Sequence, residues 1–322
     1  MTANSQRYSV LLENVFSLID KKVDAKSREH IHTFGRHFFK NISLDDLENR
    51  NDSDLYGATL SLWNTFSNFD ASSPHVRVFN PEIEKHGWKS SHTIVELIIR
   101  DVPFLVDSVR MALNRLGITA HMLIHSPMNI ERDDNNKLVS FLDANQNSNL
   151  RQTVVFIEVD RQTSKADLEQ LTSELHSTID EVSLAVADWQ PMLDKLKAIT
   201  GQVSKAKKLP VDKAHKDTVL RFLDWLSDHN FTLMGYRYYS VSAIEGDHQW
   251  TPDNDSSLGL MKNSISDKPR LLSNLPATAR EEALSQHLLL LTKTNSRSRV
   301  HRPAYMDYVG IKEFNSNGQV TG

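Results

Sequence analysis

The sequence predicts an α+β chain in three parts: an N-terminal helical layer, a split βαβ sheet domain, and a second α+β domain with an antiparallel sheet. Three observations carry this prediction. Apolar residues keep helical spacing from Tyr8 to Phe69. His92–Ile99 and Gln152–Asp160 are β-branched apolar runs of the length of buried strands. Between them, a Pro turn at Pro103 opens an amphipathic stretch that ends at Gly117. The expected boundaries are 1–70 for the helical layer, 71–200 for the first sheet domain, 201–212 for a linker and 213–322 for the second domain.

In the helical layer the stripes run over Val10–Ile19, His30–Phe39 and Leu55–Phe69. Ser27, Ser43 and Ser53 are the expected N-caps, and Asp45, Asp46 and Asp54 suit first turns. Residues 70–91 hold Ser72-Ser73-Pro74, Pro81 and Gly87 and read as irregular, apart from a short strand at Val76–Phe79. After the strand His92–Ile99, apolar residues at 105, 106, 109, 112, 113 and 116 mark one helical face, closed by Gly117 as a left-handed cap. Ile118–Ile130 suits a strand, Asp133-Asp134-Asn135-Asn136 a turn, and Lys137–Leu142 the returning arm. The strand at 152–160 and a helix over Lys165–Ile179 follow. Beyond them two readings stand: Val182, Leu184 and Val186 alternate as a further strand, yet Leu168, Leu171, Leu175, Ile179, Val182, Val186 and Trp189 continue one helical stripe.

Past the Lys-rich linker with Pro210, Val219, Phe222, Leu223 and Leu226 form the apolar face of a helix over Lys213–His229. Strands are expected at Phe231–Val241, Leu258–Lys262, His287–Lys293 and Ala304–Phe314. Asn315-Ser316-Asn317-Gly318 is a hairpin turn that leaves only Gln319–Gly322 for its returning arm, so the second domain is expected to be C-terminally truncated.

The 322 residues, 39% apolar and 24% charged, suffice for two domains or one large one with a well-supplied core. A net charge of −4 gives no electrostatic reason for nucleic acid or an anionic membrane as a partner. The absence of cysteine excludes disulfides, thiolate metal sites and cysteine nucleophiles. No signal peptide and no apolar run of about 18 residues is present, so the expected location is cytoplasmic.

Binding a dinucleotide through its pyrophosphate calls for Gly-x-Gly-x-x-Gly between a strand and a helix. Here Gly57, Gly87, Gly117, Gly235 and Gly259 are isolated and read as turns, caps or close-packing points, so no cofactor is expected within this chain. His121 and His125 share one strand face, as do metal ligands, but no third ligand accompanies them and no metal is expected; His30, His32 and His37 read the same way. Asp45-Asp46 and Glu281-Glu282 look like helix-surface pairs, and no catalytic residue is assigned. Trp63, Trp88, Trp189, Trp225 and Trp250 read as packing residues. Arg297, Arg299 and His301 alternate, which in an extended chain puts them on one face, and Arg302 extends the patch. Such a row can grip a carboxylate or phosphate of an effector or a neighbouring subunit; the plain alternative is a solvated strand face.

The run Asp101-Val102-Pro103-Phe104-Leu105, its helix and Leu116-Gly117-Ile118 resemble the start of ACT domains, ferredoxin-like βαββαβ modules that bind amino acids and regulate metabolic enzymes. Further strings narrow this. Asp54-Leu55-Tyr56-Gly57-Ala58, Val76-Arg77-Val78-Phe79-Asn80-Pro81, Gly87-Trp88 with His92-Thr93, Phe104 to Arg110, Phe222-Leu223-Asp224-Trp225-Leu226 and Phe231 to Arg237 are similar to the N-terminal region of the large bacterial NAD-specific glutamate dehydrogenases. Asn295-Ser296-Arg297-Ser298-Arg299-Val300-His301-Arg302-Pro303-Ala304-Tyr305-Met306-Asp307-Tyr308 is the most specific of these strings, and together they cover nearly the whole chain in order.

The resemblance implies a regulatory, oligomer-forming part of a long homo-oligomeric enzyme that oxidises L-glutamate with NAD, its catalytic domain lying far beyond these residues. It also implies that the second half is a PAS-like module. Alternatives are an amino-acid-binding ACT sensor and a structural scaffold that packs subunits. An ACT domain presents backbone donors to its effector at the loop formed here by Arg100, Asp101, Val102, Pro103 and Phe104, with Asp107 and Ser108 on the following turn. The usual pattern has Gly after the Pro. Phe104 departs from it and adds bulk there, which disfavours an effector, and Asp101 or Asp107 then reads as a helix cap.

Overall fold

Asp24 and Asn51, rather than the serines near them, open the long helices of the N-terminal layer. Their extended backbones let the Asp24 carboxylate accept from the Lys26 and Ser27 amides, and the Asn51 side chain from the Ser53 amide. Ser27 and Ser53 are therefore inside the helices they were expected to cap, whereas Ser43 does cap, accepting from the Asp46 amide at 3.2 Å. A computed structural model of the chain describes residues 3–40, 42–47, 50–69, 73–143, 150–264 and 268–322, and the chain divides into two units, Met1–Ile179 and Asp180–Gly322. Of the irregular stretch expected at 70–91, residues 70–72 lie outside the described ones.

The first unit carries α1 (Ala3–Lys22), α2 (Ala25–Phe39), α3 (Leu44–Leu47) and α4 (Asp52–Ser67), then β1 (His75–Phe79) and the short α5 (Ile83–His86). The split motif follows as β2 (Thr93–Arg100), α6 (Leu105–Arg115), β3 (Ala120–Arg132), β4 (Leu138–Leu142), β5 (Leu150–Val159) and α7 (Lys165–Ala187). The five strands form one antiparallel sheet in the order β1-β2-β5-β3-β4. Strand period decides which core each residue joins. Ile94, Ile98, Val154 and Phe156 face the helical layer with Phe34, Phe38, Leu62 and Phe66, while Val95, Leu97, Val155 and Ile157 face α6 and α7 with Val109, Ala112, Leu171 and Leu175. Both faces of the sheet are thus covered by helices of the same unit.

Residues 182–186 are helical, the last turns of α7, which settles the two readings of that stretch. The edge beside β2 is occupied by His75–Phe79, which pairs antiparallel from His75 opposite Ile98 to Phe79 opposite Ile94.

In the second unit, α8 (Trp189–Lys205) occupies the start of the expected linker. Next come α9 (Lys213–Trp225), β6 (Gly235–Ile244), β7 (Asp247–Gly259), β8 (Arg270–Leu271), α10 (Ala277–Leu284), β9 (Leu289–Arg297) and β10 (Tyr305–Ile311). The strands form two antiparallel sheets, β6-β7-β8 and β10-β9. Three expectations need correction. The helix predicted to His229 is regular only to Trp225; residues 226–230 form a wider turn in which His229 takes φ 56°. The strand expected at Leu258–Lys262 is only the end of β7: Gly259, at φ 58° and ψ −137°, turns the chain into a 3₁₀ turn over Leu260–Lys262, and a Cβ there would run into the Met234 carbonyl. Trp189 and Trp225 are 39% and 49% exposed, unlike the buried Trp63 and Trp88.

The closing turn does form its hairpin. The Asn315 amide donates to the Gln319 carbonyl and the Gly318 amide to the Asn315 carbonyl, and Phe314 pairs with Val320.

Candidate functional site

The β2–α6 loop leaves the sheet where the ladder ends. Arg100 is the last paired residue, opposite Gln152, and the Asp101 amide still donates to the Arg151 carbonyl at 2.8 Å. The Asp101 carboxylate accepts from Arg151 Nε at 2.9 Å and lies 3.7 Å from His125 Nε2. Asp101 is therefore tied sideways to the sheet and does not cap α6. Val102 packs on the α6–α7 core and Pro103 is exposed.

Phe104 is the N-cap residue of α6, at φ 69° and ψ −2°, and no side chain caps the helix. The left-handed conformation that glycine adopts freely is here taken by a phenylalanine. Buried Ser108 closes the turn from inside, its Oγ donating to the Phe104 carbonyl at 2.7 Å and its amide to the same oxygen at 3.0 Å. Asp107 is exposed on the first turn, where the helix dipole favours its charge. Of the seven loop residues singled out from sequence, Asp101, Phe104 and Ser108 thus shape the loop, Arg100 and Val102 anchor its entry to sheet and core, and Pro103 and Asp107 are on its surface.

Two polar clusters escaped the sequence reading. Glu96 and Glu158 sit in apolar strands, 0% and 4% exposed, on the face that carries the helical layer. Glu96 accepts from Ser61 of α4 at 2.9 Å and lies 3.3 Å from Arg77 of β1; burial pushes its carboxyl up against the opposing pull of Arg77 and Ser61. Glu158 holds the Arg50 guanidinium and lies 3.4 Å from His92 Nδ1. The His92 ring is 4.5 Å from that of His121, whose Nε2 is 2.7 Å from Asp160. The register of β3 shifts at this residue, between Ala120 and Met122. The Thr119 amide first, then His121, holds the Asp160 carboxyl below its ordinary range. A buried strand carrying Glu was the available signal, because such a charge requires a cationic partner.

His121 and His125 go to different carboxylates, and among the described residues no group of three or more His, Asp or Glu side chains could hold a metal ion.

The patch of the second unit is not an extended face. Residues 298–304 form a tight connection between β9 and β10: the Ser298 amide donates to the Ala304 carbonyl at 2.8 Å, the Arg302 amide to the Val300 carbonyl at 2.9 Å, and His301 takes φ 71°. Arg297 lies over the Tyr305 ring at 5.2 Å, Arg299 is 3.4 Å from Glu181, and Arg302 is exposed. The alternation predicted for Arg297, Arg299 and His301 fails because buried Ser298 and Val300 fold the chain back on itself, with Ser298 Oγ donating to the Val300 carbonyl at 2.7 Å. Between the two sheets of this unit opens a cleft of 1480 Å³, floored by α8 residues such as Leu196 and Ile199. Among the described residues, no helix is long and apolar enough to cross a membrane.

Residues 34–175 match the family described as glutamate dehydrogenase, ACT1 domain. The NAD-specific glutamate dehydrogenase of Halomonas elongata is 34% identical over 315 residues, 97% of this chain and 20% of that protein. Its counterpart in Pseudomonas aeruginosa is 37% identical over 301 residues, 92% of this chain and 18% of that protein. A more distant one in Mycobacterium tuberculosis is 20% identical over 212 residues, covering 65% and 12%. The chain spans about a fifth or less of the length of these curated relatives.

Proposed function

Residues 34–175 belong to the glutamate dehydrogenase ACT1 domain family, and on that premise we propose that the chain is a regulatory, oligomer-forming region of a larger NAD-dependent glutamate dehydrogenase. The parent reaction is oxidative deamination of L-glutamate to 2-oxoglutarate and ammonium with reduction of NAD, carried out by a catalytic domain outside these residues. NAD belongs to that domain, and the parent works in the cytoplasm as a homo-oligomer. This chain contributes no catalytic residue; its part is to answer an amino-acid effector at the β2–α6 loop.

The observation that supports this reading is the backbone of Phe104. Holding a phenylalanine in the left-handed region costs on the order of 1–2 kcal/mol, and strain of this kind persists where surrounding structure fixes it, above all at ligand clamps and switches. Here Ser108 and the Asp101–Arg151 pair fix it. The loop keeps the shape that glycine would give it, with helix N–H groups at its mouth for a carboxylate.

Titration calorimetry with aspartate, asparagine, arginine and glutamate tests the proposal. Saturable heat with one of them, lost in Asp101→Ala, is the expected result. Silence with all four removes the effector.

A second reading, the subunit-packing scaffold, is favoured by Val139, which stands 46% exposed on the edge strand β4. It expects concentration-dependent assembly without any effector heat.

A further inference from the structure

The cleft of the second unit has an aromatic wall on each of its two sheets. On one, Trp250 pairs with Val241 across the β6–β7 ladder, and alternate residues of a strand share a face, so Tyr239 lies beside them with its ring 6.1 Å from that of Trp250. On the other, Tyr308 and Gly310 share a face of β10 with Leu290, the partner of Gly310. A Cβ at Gly310 would stand 3.0 Å from the Tyr308 ring and 3.4 Å from its hydroxyl, so the missing side chain lets that ring lie along the strand. Tyr239, Trp250 and Tyr308 all line the 1480 Å³ cleft, with Leu196 and Ile199 of α8 as its floor. Small-molecule pockets ordinarily hold about 300–1,000 Å³, so a fused ring system with a substituent has room here.

The polar groups of these walls are unspent. Tyr238 donates to Glu313 at 3.0 Å, but the hydroxyls of Tyr239 and Tyr308 have no hydrogen-bond partner among the described residues. Trp250 Nε1 is buried and likewise unpartnered among them. Tyr308 is 37% exposed, yet burial pushes its phenol up and Tyr239 adds to the rise, as for a group that meets solvent only inside a recess and stands near the opposite wall. That phenol stays protonated at neutral pH and offers a donor.

Charge selects the acceptor. Aromatic faces alone would welcome a cation. Six lysine and arginine side chains line the cleft against three carboxylates, however, and Lys208 and Arg302 have no carboxylate within ion-pair reach among the described residues. The summed field therefore draws an anion in and turns a cation away.

We infer that this cleft is a ligand site for a planar, fused-ring aromatic molecule that carries an anionic group. Its ring stacks on the walls formed by Tyr239 with Trp250 and by Tyr308, and its anion accepts from the two phenol hydroxyls, bonds strengthened by the charge of the acceptor. The site shares no residue with the β2–α6 loop, so the two stand or fall separately.

A competition titration on the 322-residue chain tests this. Anilinonaphthalene sulfonate, itself a fused-ring anion, should saturate one site, read by its fluorescence. Naphthoate should displace it at least tenfold better than cyclohexanecarboxylate, which lacks the flat ring, or naphthylmethylammonium, which lacks the negative charge. Tyr239→Phe combined with Tyr308→Phe keeps both rings and removes both donors, so naphthoate affinity should fall about tenfold, the loss expected for two hydrogen bonds, with the urea midpoint unchanged. Ala198→Trp, which places an indole on the α8 side of the cleft, should abolish displacement. Equal competition by all three compounds, binding at several sites, no displacement by naphthoate at about 1 mM, or undiminished affinity in the double phenylalanine variant would each overturn the assignment. The ranking of the three compounds needs no variant, so it decides the matter even where a substituted chain does not fold.

Discussion

Phe104 separates backbone strain from side-chain contact at a single position. Phe104→Ala removes the half-buried ring and keeps a Cβ at φ 69°, whereas Phe104→Gly removes both. Glycine loses more freedom on folding, by about 0.5–1 kcal/mol, but escapes a strain of about 1–2 kcal/mol. The glycine variant should therefore be the more stable of the two by roughly 0.5–1 kcal/mol in urea unfolding. An alanine variant equal or superior to it would mean that the loop carries no strain, and the support this residue lends to an effector site would go with it. Glu96 is the other telling residue. Burial raises its carboxyl, so the folded chain holds that proton more tightly than the unfolded chain does. Its contribution to stability is complete below the ordinary value of 4.5 and is lost as the pH rises through the higher folded value. Glu96→Gln should flatten the decline in stability above pH 4.5, measured as urea midpoints across the acid to neutral range. An unchanged slope would place the proton linkage elsewhere.

At the scale of elements, the two buried carboxylates fix how the N-terminal helices lie on the sheet. Ser61 and Arg77 answer Glu96, and Arg50, from the chain just before α4, answers Glu158. Apolar contacts are non-directional, so these polar pairs select one placement among several that would bury similar area. Arg50→Ala should cost about 3 kcal/mol, because Glu158 is then left buried with His92 as its remaining ionisable partner among the described residues. Replacing Glu158 by Leu in the same chain should restore most of that loss, and a double variant no more stable than the single one would refute the uncompensated-charge account. This also explains what could be read in advance. The buried strands at 93–100 and 150–159 and the helix closed by Gly117 follow from period and punctuation, which are local signals. The partners of Glu96 and Glu158 are 19 to 108 residues away and leave no local trace. The stretch 182–186 satisfied both periods, and the packing of the helical stripe decided between them, with Val182 and Ala185 buried. The row at 297–302 misled for the same reason: alternation shows a face only if the chain is extended, and the turn at Ser298 and Val300 is a tertiary fact.

For the molecule as a whole, the layering of the first unit limits how copies can join. Helices of its own chain take both faces of the five-stranded sheet, so a strand of another copy can reach it only at the edges β1 and β4. The β1 edge places Val76 and Val78 against its own core, whereas β4 turns Val139 outward. An apolar side chain on an uncovered edge is what a soluble domain normally replaces with lysine, because the free N–H and C=O groups beside it invite another strand. Val139→Lys should accordingly weaken self-association at least tenfold in sedimentation velocity over a concentration series. It should leave the unfolding free energy within about 0.5 kcal/mol, as expected of a surface change. If association persists unchanged, copies meet away from β4, and the loop that holds Phe104 is the next place to test. Were copies to meet at that loop, an effector bound there would lie between subunits, where its binding and assembly share one free energy. Calorimetric affinity and the association constant would rise together, a coupling that a loop acting within one copy does not produce.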